Sequence, residues 1–199
     1  MLGKLTNTIQ GVVNFTWPTV IISVVVLVSF RVSYLVKNKQ KIVLYKELLG
    51  LSFVIYALCL FQVVTFQDNV SWSTNNFIPF KEMFRYNIGS RLFVKNVLGN
   101  MLMFLPYGFF VSLYLKNEKP WLTLALTFIA SFSVELVQMV IGRVFDIDDI
   151  ILNLLGGYFG YLLYYWAFKL YEKLPSVFKS EVCLNIVATI ILIGIITIL

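Results

Sequence analysis

The sequence contains no histidine and only two cysteines, Cys59 and Cys183. Histidine is the commonest general base in enzymes and a common zinc ligand, so its absence excludes Ser-His-Asp and Cys-His catalysis. Both cysteines lie in apolar runs, and neither belongs to a metal-binding spacing such as Cys-x-x-Cys. We therefore expect two small buried apolar side chains, no metal site and no cofactor.

Charged residues are scarce, at 13% of the 199 residues, whereas hydrophobic residues make up 59%. Soluble globular domains contain about 25% charged residues, so the composition indicates an integral membrane protein whose main partner is the lipid bilayer. The net charge of +6 is modest. Because no arginine-rich patch is interleaved with stacking aromatic residues, we expect no binding to nucleic acid.

Long apolar runs predict an all-α, polytopic bundle of about six transmembrane helices, because about 20 apolar residues cross a bilayer as a helix. The expected spans are residues 18–36, 48–66, 96–115, 121–141, 150–168 and 182–199. We divide the chain into an N-terminal segment with the first span and a basic loop (1–47), a polytopic domain (48–168) and a polar loop with the last span (169–199). Gly156-x-x-x-Gly160 favours close helix packing in the fifth span.

A long connection between the second and third spans contains a helix-breaking stretch at residues 75–80. From Phe80 onwards, the apolar residues Phe80, Phe84, Ile88 and Leu92 recur at helical spacing, and basic residues lie off that apolar stripe. The pattern predicts an amphipathic segment, interrupted at residues 87–90, on the lipid headgroups. The alternative is that its apolar face packs on the bundle.

Polar residues cluster near the ends of the third, fourth and fifth spans. A charged side chain at the bilayer centre costs about 2.5–3.5 kcal/mol, so such residues usually have partners and often a function. Spacings of three or four residues place members of this cluster on common helix faces. The candidate site residues are Asn96, Asn100, Glu135, Gln138, Arg143, Asp146, Asp149 and Asn153.

Three interpretations of this cluster remain open. It can be a structural clasp, in which Arg143 pairs with an acid and the asparagines bond between helices. It can be a recognition pocket near the headgroups. It can also be a catalytic site with one carboxyl as acid and one as base, or with carboxylates that hold a divalent cation. No nucleophile is singled out.

The same residues resemble a known family, the VanZ-like membrane proteins. The resemblance rests on residues 76–80 (NFIPF) and on Asn96-x-x-x-Asn100-x-x-x-Phe104-x-Pro106-x-Gly108. Glu135-x-x-Gln138, and then Arg143, Asp146, Asp149, Asn153 and Gly156, continue the pattern. It covers roughly residues 50–168 and implies a small polytopic protein of the bacterial cell envelope. The family takes its name from an accessory protein of teicoplanin resistance.

Lys and Arg are more numerous in the loops after the first, third and fifth spans, which places those loops in the cytoplasm and the polar cluster outside. We therefore expect a multi-pass plasma-membrane protein of a bacterium that binds a surface or lipid-linked ligand (envelope lipid, glycan or glycopeptide) and modulates glycopeptide susceptibility. The alternative is an enzyme that remodels an envelope lipid or glycan, with Glu135 and Asp149 as acid and base. A transporter fits less well, because the first, second and sixth spans lack polar lining.

Overall fold

The computed structural model describes residues 2–65, 75–87, 89–116 and 118–198. Within these residues the chain forms helices and no β-strand, which confirms the expected all-α class. A π-helical turn, Val94–Leu98, joins α3 to α4, and two 3-10 turns occupy Met83–Arg85 and Ser176–Lys179. The α-helices are α1 (Leu2–Lys37), α2 (Leu44–Thr65), α3 (Arg91–Phe93), α4 (Gly99–Leu115), α5 (Pro120–Val140), α6 (Ile147–Lys173) and α7 (Glu181–Ile198).

Five helical stretches in the described residues are long and apolar enough to cross a membrane. They correspond to the first five expected spans and are Trp17–Lys37, Leu44–Gln62, Arg91–Leu115, Pro120–Val140 and Ile147–Lys173. At a rise of about 1.5 Å per residue, each covers roughly the 30 Å thickness of the hydrocarbon core. The sixth expected span falls on α7, in which Glu181–Ile193 is an apolar stretch shorter than the other five. Residues 66 and 199 of the expected spans lie outside the described residues.

The chain divides into two compact units, of which the first contains residues 1–62 and 169–199. In this unit the Arg31 guanidinium donates to both carboxylate oxygens of Glu47, at 2.8 and 3.0 Å. The Asn185 side chain on α7 accepts a hydrogen bond from the Tyr45 N–H on α2, at 3.0 Å. Polar contacts therefore link α2 to both α1 and α7.

The second unit contains residues 63–168 and is held by close backbone contact between α4 and α6. A Cβ atom at Gly108 would overlap the backbone carbonyl of Gly157, and a Cβ at Gly156 or Gly160 would overlap backbone carbonyl oxygens of α4. Small residues allow helices to approach this closely in membranes. The structure thus confirms that Gly156-x-x-x-Gly160 serves close helix packing.

Along its whole length α5 buries a line of polar side chains, each four residues from the next. Thr123, Thr127, Ser131 and Glu135 are each at most 1% exposed. The Thr123 hydroxyl lies 2.9 Å from the Ser112 hydroxyl of α4, and the Thr127 hydroxyl donates to the Thr123 carbonyl at 2.8 Å. These bonds satisfy hydroxyl groups that would otherwise be costly to bury.

The connection 75–87 differs from the helical spacing that its apolar residues suggest. It consists of turns and the 3-10 turn Met83–Arg85, and Phe80 has a positive φ of 67°. Phe77 and Phe84 are 64% and 83% exposed, and the Phe77 ring stacks on Phe145 with a centroid distance of 5.4 Å. Ile88 lies outside the described residues. The segment is amphipathic without forming a regular helix.

Candidate functional site

The connection 75–87 is joined to the link between α5 and α6 by paired backbone hydrogen bonds. The Asn76 N–H donates to the Phe145 carbonyl at 2.9 Å, and the Ile147 N–H donates to the Asn76 carbonyl at 3.1 Å. This is an isolated parallel β-bridge between Asn76 and Asp146. The Asn76 side-chain amide also donates to Asp146 Oδ1 at 2.8 Å. Residues 70 positions apart in sequence are therefore fixed side by side.

Asp148 anchors the same connection through both of its carboxylate oxygens. Oδ1 accepts from the Phe80 N–H at 2.5 Å, and Oδ2 accepts from the N–H groups of Glu82 and Met83 at 2.7 and 3.1 Å. The residue is only 1% exposed, and a buried carboxylate needs such donors to offset its lost hydration. Its position in the first turn of α6 is also favoured by the helix dipole.

Glu135, at the end of α5, is 1% exposed and is bonded to the same link. One of its carboxylate oxygens accepts from the Asp146 N–H at 3.0 Å. The Gln138 side-chain amide is oriented so that its N–H donates to the other carboxylate oxygen of Glu135 at 3.1 Å. The amide oxygen of Gln138 then accepts a hydrogen bond from Arg143 Nη1 at 2.9 Å. Glu135, Gln138 and Arg143 thus form part of the structural clasp considered from the sequence.

Asp146 takes part in this clasp through its side chain. Its Oδ1 accepts from the Asn76 amide and from the Asp148 N–H, the latter at 2.9 Å. Burial raises the pKa of the Asp146 carboxyl, and the two hydrogen bonds oppose that rise only in part. The carboxyl is therefore protonated more readily in mild acid than an exposed aspartate.

A cavity of about 190 Å³ lies where the connection 75–87, the π-helical turn and the start of α6 meet. Its surface is mainly polar and combines acidic, basic and amide groups, which is unusual inside a chain that is 59% hydrophobic. The lining residues are Glu82, Met83, Tyr86, Lys95, Asn96, Val97, Asn100, Arg143, Asp146, Asp148, Asp149 and Leu152.

The cavity brings together most of the candidate residues. Asn96, Asn100, Arg143, Asp146 and Asp149 belong to its lining. The Asn100 amide also donates a hydrogen bond to Asp149 Oδ1, which joins α4 to α6 beside the cavity. The full lining comes from three separate stretches of sequence, 82–86, 95–100 and 143–152, so only the folded chain creates the site.

The other three candidate residues, Glu135, Gln138 and Asn153, are not in this lining. Asn153 is 3% exposed, and its amide donates to the Ser131 hydroxyl at 2.9 Å. Its Oδ1 has no hydrogen-bond partner among the described residues. The structure thus separates a group that lines the cavity from a group bonded within the helix bundle.

The π-helical turn Val94–Leu98 carries three of the lining residues, Lys95, Asn96 and Val97. Its hydrogen bonds span five residues, as shown by the Gly99 N–H bonded to the Val94 carbonyl. Such turns are rare and frequently occur at functional sites, because they change the direction of side chains within a helix. Sequence reasoning missed Lys95, although its position next to Asn96 was an available signal.

The described parts of the chain contain no group of three or more His, Cys, Asp or Glu residues arranged to hold a metal ion. The carboxylates of Asp146 and Asp148 instead accept hydrogen bonds from the protein. These oxygens shape the cavity. The other polar residues of the lining are Glu82, Tyr86, Lys95, Asn96, Asn100, Arg143 and Asp149.

Together, the helices and the cavity define a polytopic helical membrane protein with a polar site at one end of its spans. Residues 53–169 match the VanZ/LLP1 family. The chain belongs to this family, which confirms the resemblance seen in its polar motifs. No curated protein and no solved structure matches the chain.

Proposed function

We propose that this protein is a bacterial cell-envelope protein whose cavity binds a surface or lipid-linked ligand, and that binding modulates susceptibility to teicoplanin-type glycopeptides. The observation that carries the proposal is the cavity itself, with Asn96, Arg143 and Asp149 in its lining. Membership in a family named for glycopeptide resistance supports the link to the antibiotic. Concave sites with a few convergent polar groups are the usual form of ligand sites.

The hydrogen-bond pattern supports binding better than acid–base catalysis. Glu135 would have to act with Asp149 as the acid or base, yet it is outside the cavity lining and 1% exposed. Its two oxygens already accept hydrogen bonds from Asp146 and Gln138. A general acid or base must reach the proton that it transfers. Binding makes no such demand on Glu135.

The distribution of basic residues supports an extracytoplasmic cavity. The cavity lies at the start of α4, the end of α5 and the start of α6. The loops with more Lys and Arg follow the opposite ends of α4 and α6, and such loops are usually cytoplasmic. An outward cavity would have direct access to envelope ligands and to glycopeptides that do not cross the membrane.

The test compares teicoplanin susceptibility in a susceptible bacterial host that expresses the protein or its variants at equal membrane abundance. We expect the wild type to raise the inhibitory concentration, and Asn96→Leu and Asp149→Asn to lose most of that effect. Asp149→Asn retains an oxygen that can accept from Asn100. Arg91→Gln is the matched control, because Arg91 is exposed and outside the lining.

The proposal fails if the wild type leaves teicoplanin susceptibility unchanged. It also fails if Asn96→Leu and Asp149→Asn retain the full wild-type effect.

A further inference from the structure

The positive charge of the protein is confined to the first unit. Residues 1–62 and 169–199 contain nine Lys and Arg against three glutamates, whereas residues 63–168 contain seven Lys and Arg against seven Asp and Glu. The first unit therefore carries the whole net charge of +6, and the unit that contains the cavity is formally neutral. A surface for an anionic partner is expected on the first unit.

Four lysines of this unit lie within ten residues, in the short loop between α1 and α2. Lys37, Lys39, Lys41 and Lys46 are all exposed, and no acidic residue lies between them. The next residue, Glu47, accepts from the Arg31 guanidinium with both carboxylate oxygens. In the described parts of the chain, none of the four lysines forms an ion pair. The loop thus presents four positive charges that no acidic side chain neutralises.

The loop folds as a tight turn at the end of α1. The Asn38 N–H and side-chain amide both donate to the Tyr34 carbonyl, at 3.0 and 2.8 Å. Lys39 adopts a left-handed conformation with a φ of 52°, as is common where a helix ends. Only residues 38–43 separate α1 from α2, and both helices are long and apolar enough to cross a membrane. This short connection holds the lysines at the depth of the lipid headgroups.

Apolar and aromatic side chains are exposed beside these lysines. Val36 is 69% exposed and Ile42 is 60% exposed. The Tyr34 ring is also exposed, and the Arg31 guanidinium lies 5.7 Å from its centroid. Tyrosine rings and the long stems of lysine and arginine are favoured at the boundary between headgroups and acyl chains. A surface of this mixed composition fits the headgroup layer better than bulk water.

We propose that the loop between α1 and α2 binds the headgroups of anionic phospholipids. Lys37, Lys39, Lys41 and Lys46 lie against the phosphate groups, and Val36 and Ile42 contact the start of the acyl chains. Each lysine near an anionic membrane surface strengthens attraction by about fivefold. The loop shares no residue with the cavity lining, so this lipid surface is additional to the proposed function.

The experiment measures which lipids gather around this loop. The full chain carries a single cysteine at the exposed Gln40, with Cys59 and Cys183 replaced, and the cysteine is labelled with a fluorescence donor. The protein is reconstituted in phosphatidylcholine vesicles that contain a small, equal fraction of either phosphatidylglycerol or phosphatidylcholine with an acceptor on the acyl chain. Energy transfer then reports the local concentration of each lipid.

We expect phosphatidylglycerol to be enriched beside the loop at least about fivefold over phosphatidylcholine in 0.1 M salt. The enrichment should fall below about twofold in 1 M salt, because the screening length decreases from about 10 Å to about 3 Å. Equal transfer to the two lipids in 0.1 M salt, or an enrichment that persists in 1 M salt, would overturn the proposal.

A pair of double variants tests the role of the lysines. Lys39→Asn with Lys41→Gln removes two charges from the loop, and asparagine tolerates the left-handed conformation of Lys39. We expect this variant to reduce the enrichment of phosphatidylglycerol below about twofold. An enrichment equal to that of the wild type would contradict the proposal.

The matched control is Lys116→Asn with Lys119→Gln in the connection between α4 and α5. Both lysines are exposed, and Lys116 has a positive φ of 51°, like Lys39. The control therefore removes the same charge from a similar turn that also contains Glu118. We expect the enrichment at Gln40 to remain. An equal loss in both double variants would show that the net charge of the protein attracts the lipid, and the assignment to this loop would be wrong.

Discussion

Asp148 and Asp149 are adjacent in sequence and have different roles in the structure. Successive residues of a helix point about 100° apart. Asp148 therefore bonds the connection 75–87, whereas Asp149 bonds Asn100 of α4. Both line the cavity, but only Asp148 has each oxygen held by backbone N–H groups. Asp148 therefore anchors the connection 75–87 beside the cavity.

Asp148→Asn should release the connection 75–87. An amide offers one acceptor oxygen in place of two, so at least one of the three part-buried N–H groups loses its partner, which costs about 0.5–1.5 kcal/mol. We expect faster hydrogen–deuterium exchange at the amides of Phe80, Glu82 and Met83, and a lower temperature of unfolding. Mass spectrometry of the purified protein measures the exchange.

The matched control is Glu82→Gln, because the Glu82 carboxylate pairs with Arg85, whose side chain is 69% exposed. Exposed pairs contribute about 0–1 kcal/mol, so exchange in the connection should change little. Unchanged exchange in Asp148→Asn would show that the three hydrogen bonds do not hold this segment.

At this scale the sequence predicted which polar residues gather and missed their partners. Spacing placed Glu135 with Gln138 and Asp146 with Asp149, because those relations depend only on helix geometry. The bonds from Asp148 depend on the fold of residues 80–83, which have turn geometry and a positive φ at Phe80. Helical periodicity contains no information about such a turn.

At the scale of elements, α4 and α6 approach each other because glycines remove side chains from their contact. Apolar runs of about 20 residues predicted both helices, since a helix of that length crosses the bilayer with its backbone hydrogen bonds satisfied within the segment. The π-helical turn before α4 was not predicted. Its backbone hydrogen bonds join residues five apart instead of four apart, and this change does not alter the hydropathy of the sequence. That turn nevertheless places Lys95 and Asn96 in the cavity.

Gly108→Ala should separate α4 from α6. Its new Cβ would overlap the Gly157 carbonyl, and overpacking of this kind costs about 1–3 kcal/mol or more because backbone has to move. We expect a lower temperature of thermal unfolding by circular dichroism in detergent, and weaker ligand binding because both helices line the cavity.

Gly99→Ala is the matched control in the same helix. Its Cβ would lie 3.7 Å from the nearest atom, the Val94 carbonyl oxygen, which is an ordinary contact. Because Gly99 has helical φ and ψ values of −58° and −51°, alanine should be neutral or stabilise by about 0.5–1 kcal/mol. Equal unfolding temperatures for the two variants would contradict the packing role of Gly108.

On the scale of the whole molecule, the family match and the cavity coincide. The match covers residues 53–169, and the second compact unit covers residues 63–168 and contains every residue of the lining. Most of the first unit lies outside the match. The polar motifs were therefore sufficient to predict the family from sequence. The volume of the cavity and the combination of acidic, basic and amide groups in its lining required the folded chain.

Orientation decides whether the cavity can meet ligands outside the cell. We expect a single cysteine at Lys81, with Cys59 and Cys183 replaced, to react with a membrane-impermeant thiol reagent on intact cells. Lys81 is exposed beside the cavity-lining residue Glu82. A single cysteine at Glu118, exposed beyond the opposite end of α4, should react only after permeabilisation.

The reverse labelling pattern would place the cavity in the cytoplasm. Glycopeptides act outside the cell, so an effect through direct surface access would then be excluded. Orientation therefore tests the proposed function at the level of the cell, whichever ligand the cavity binds.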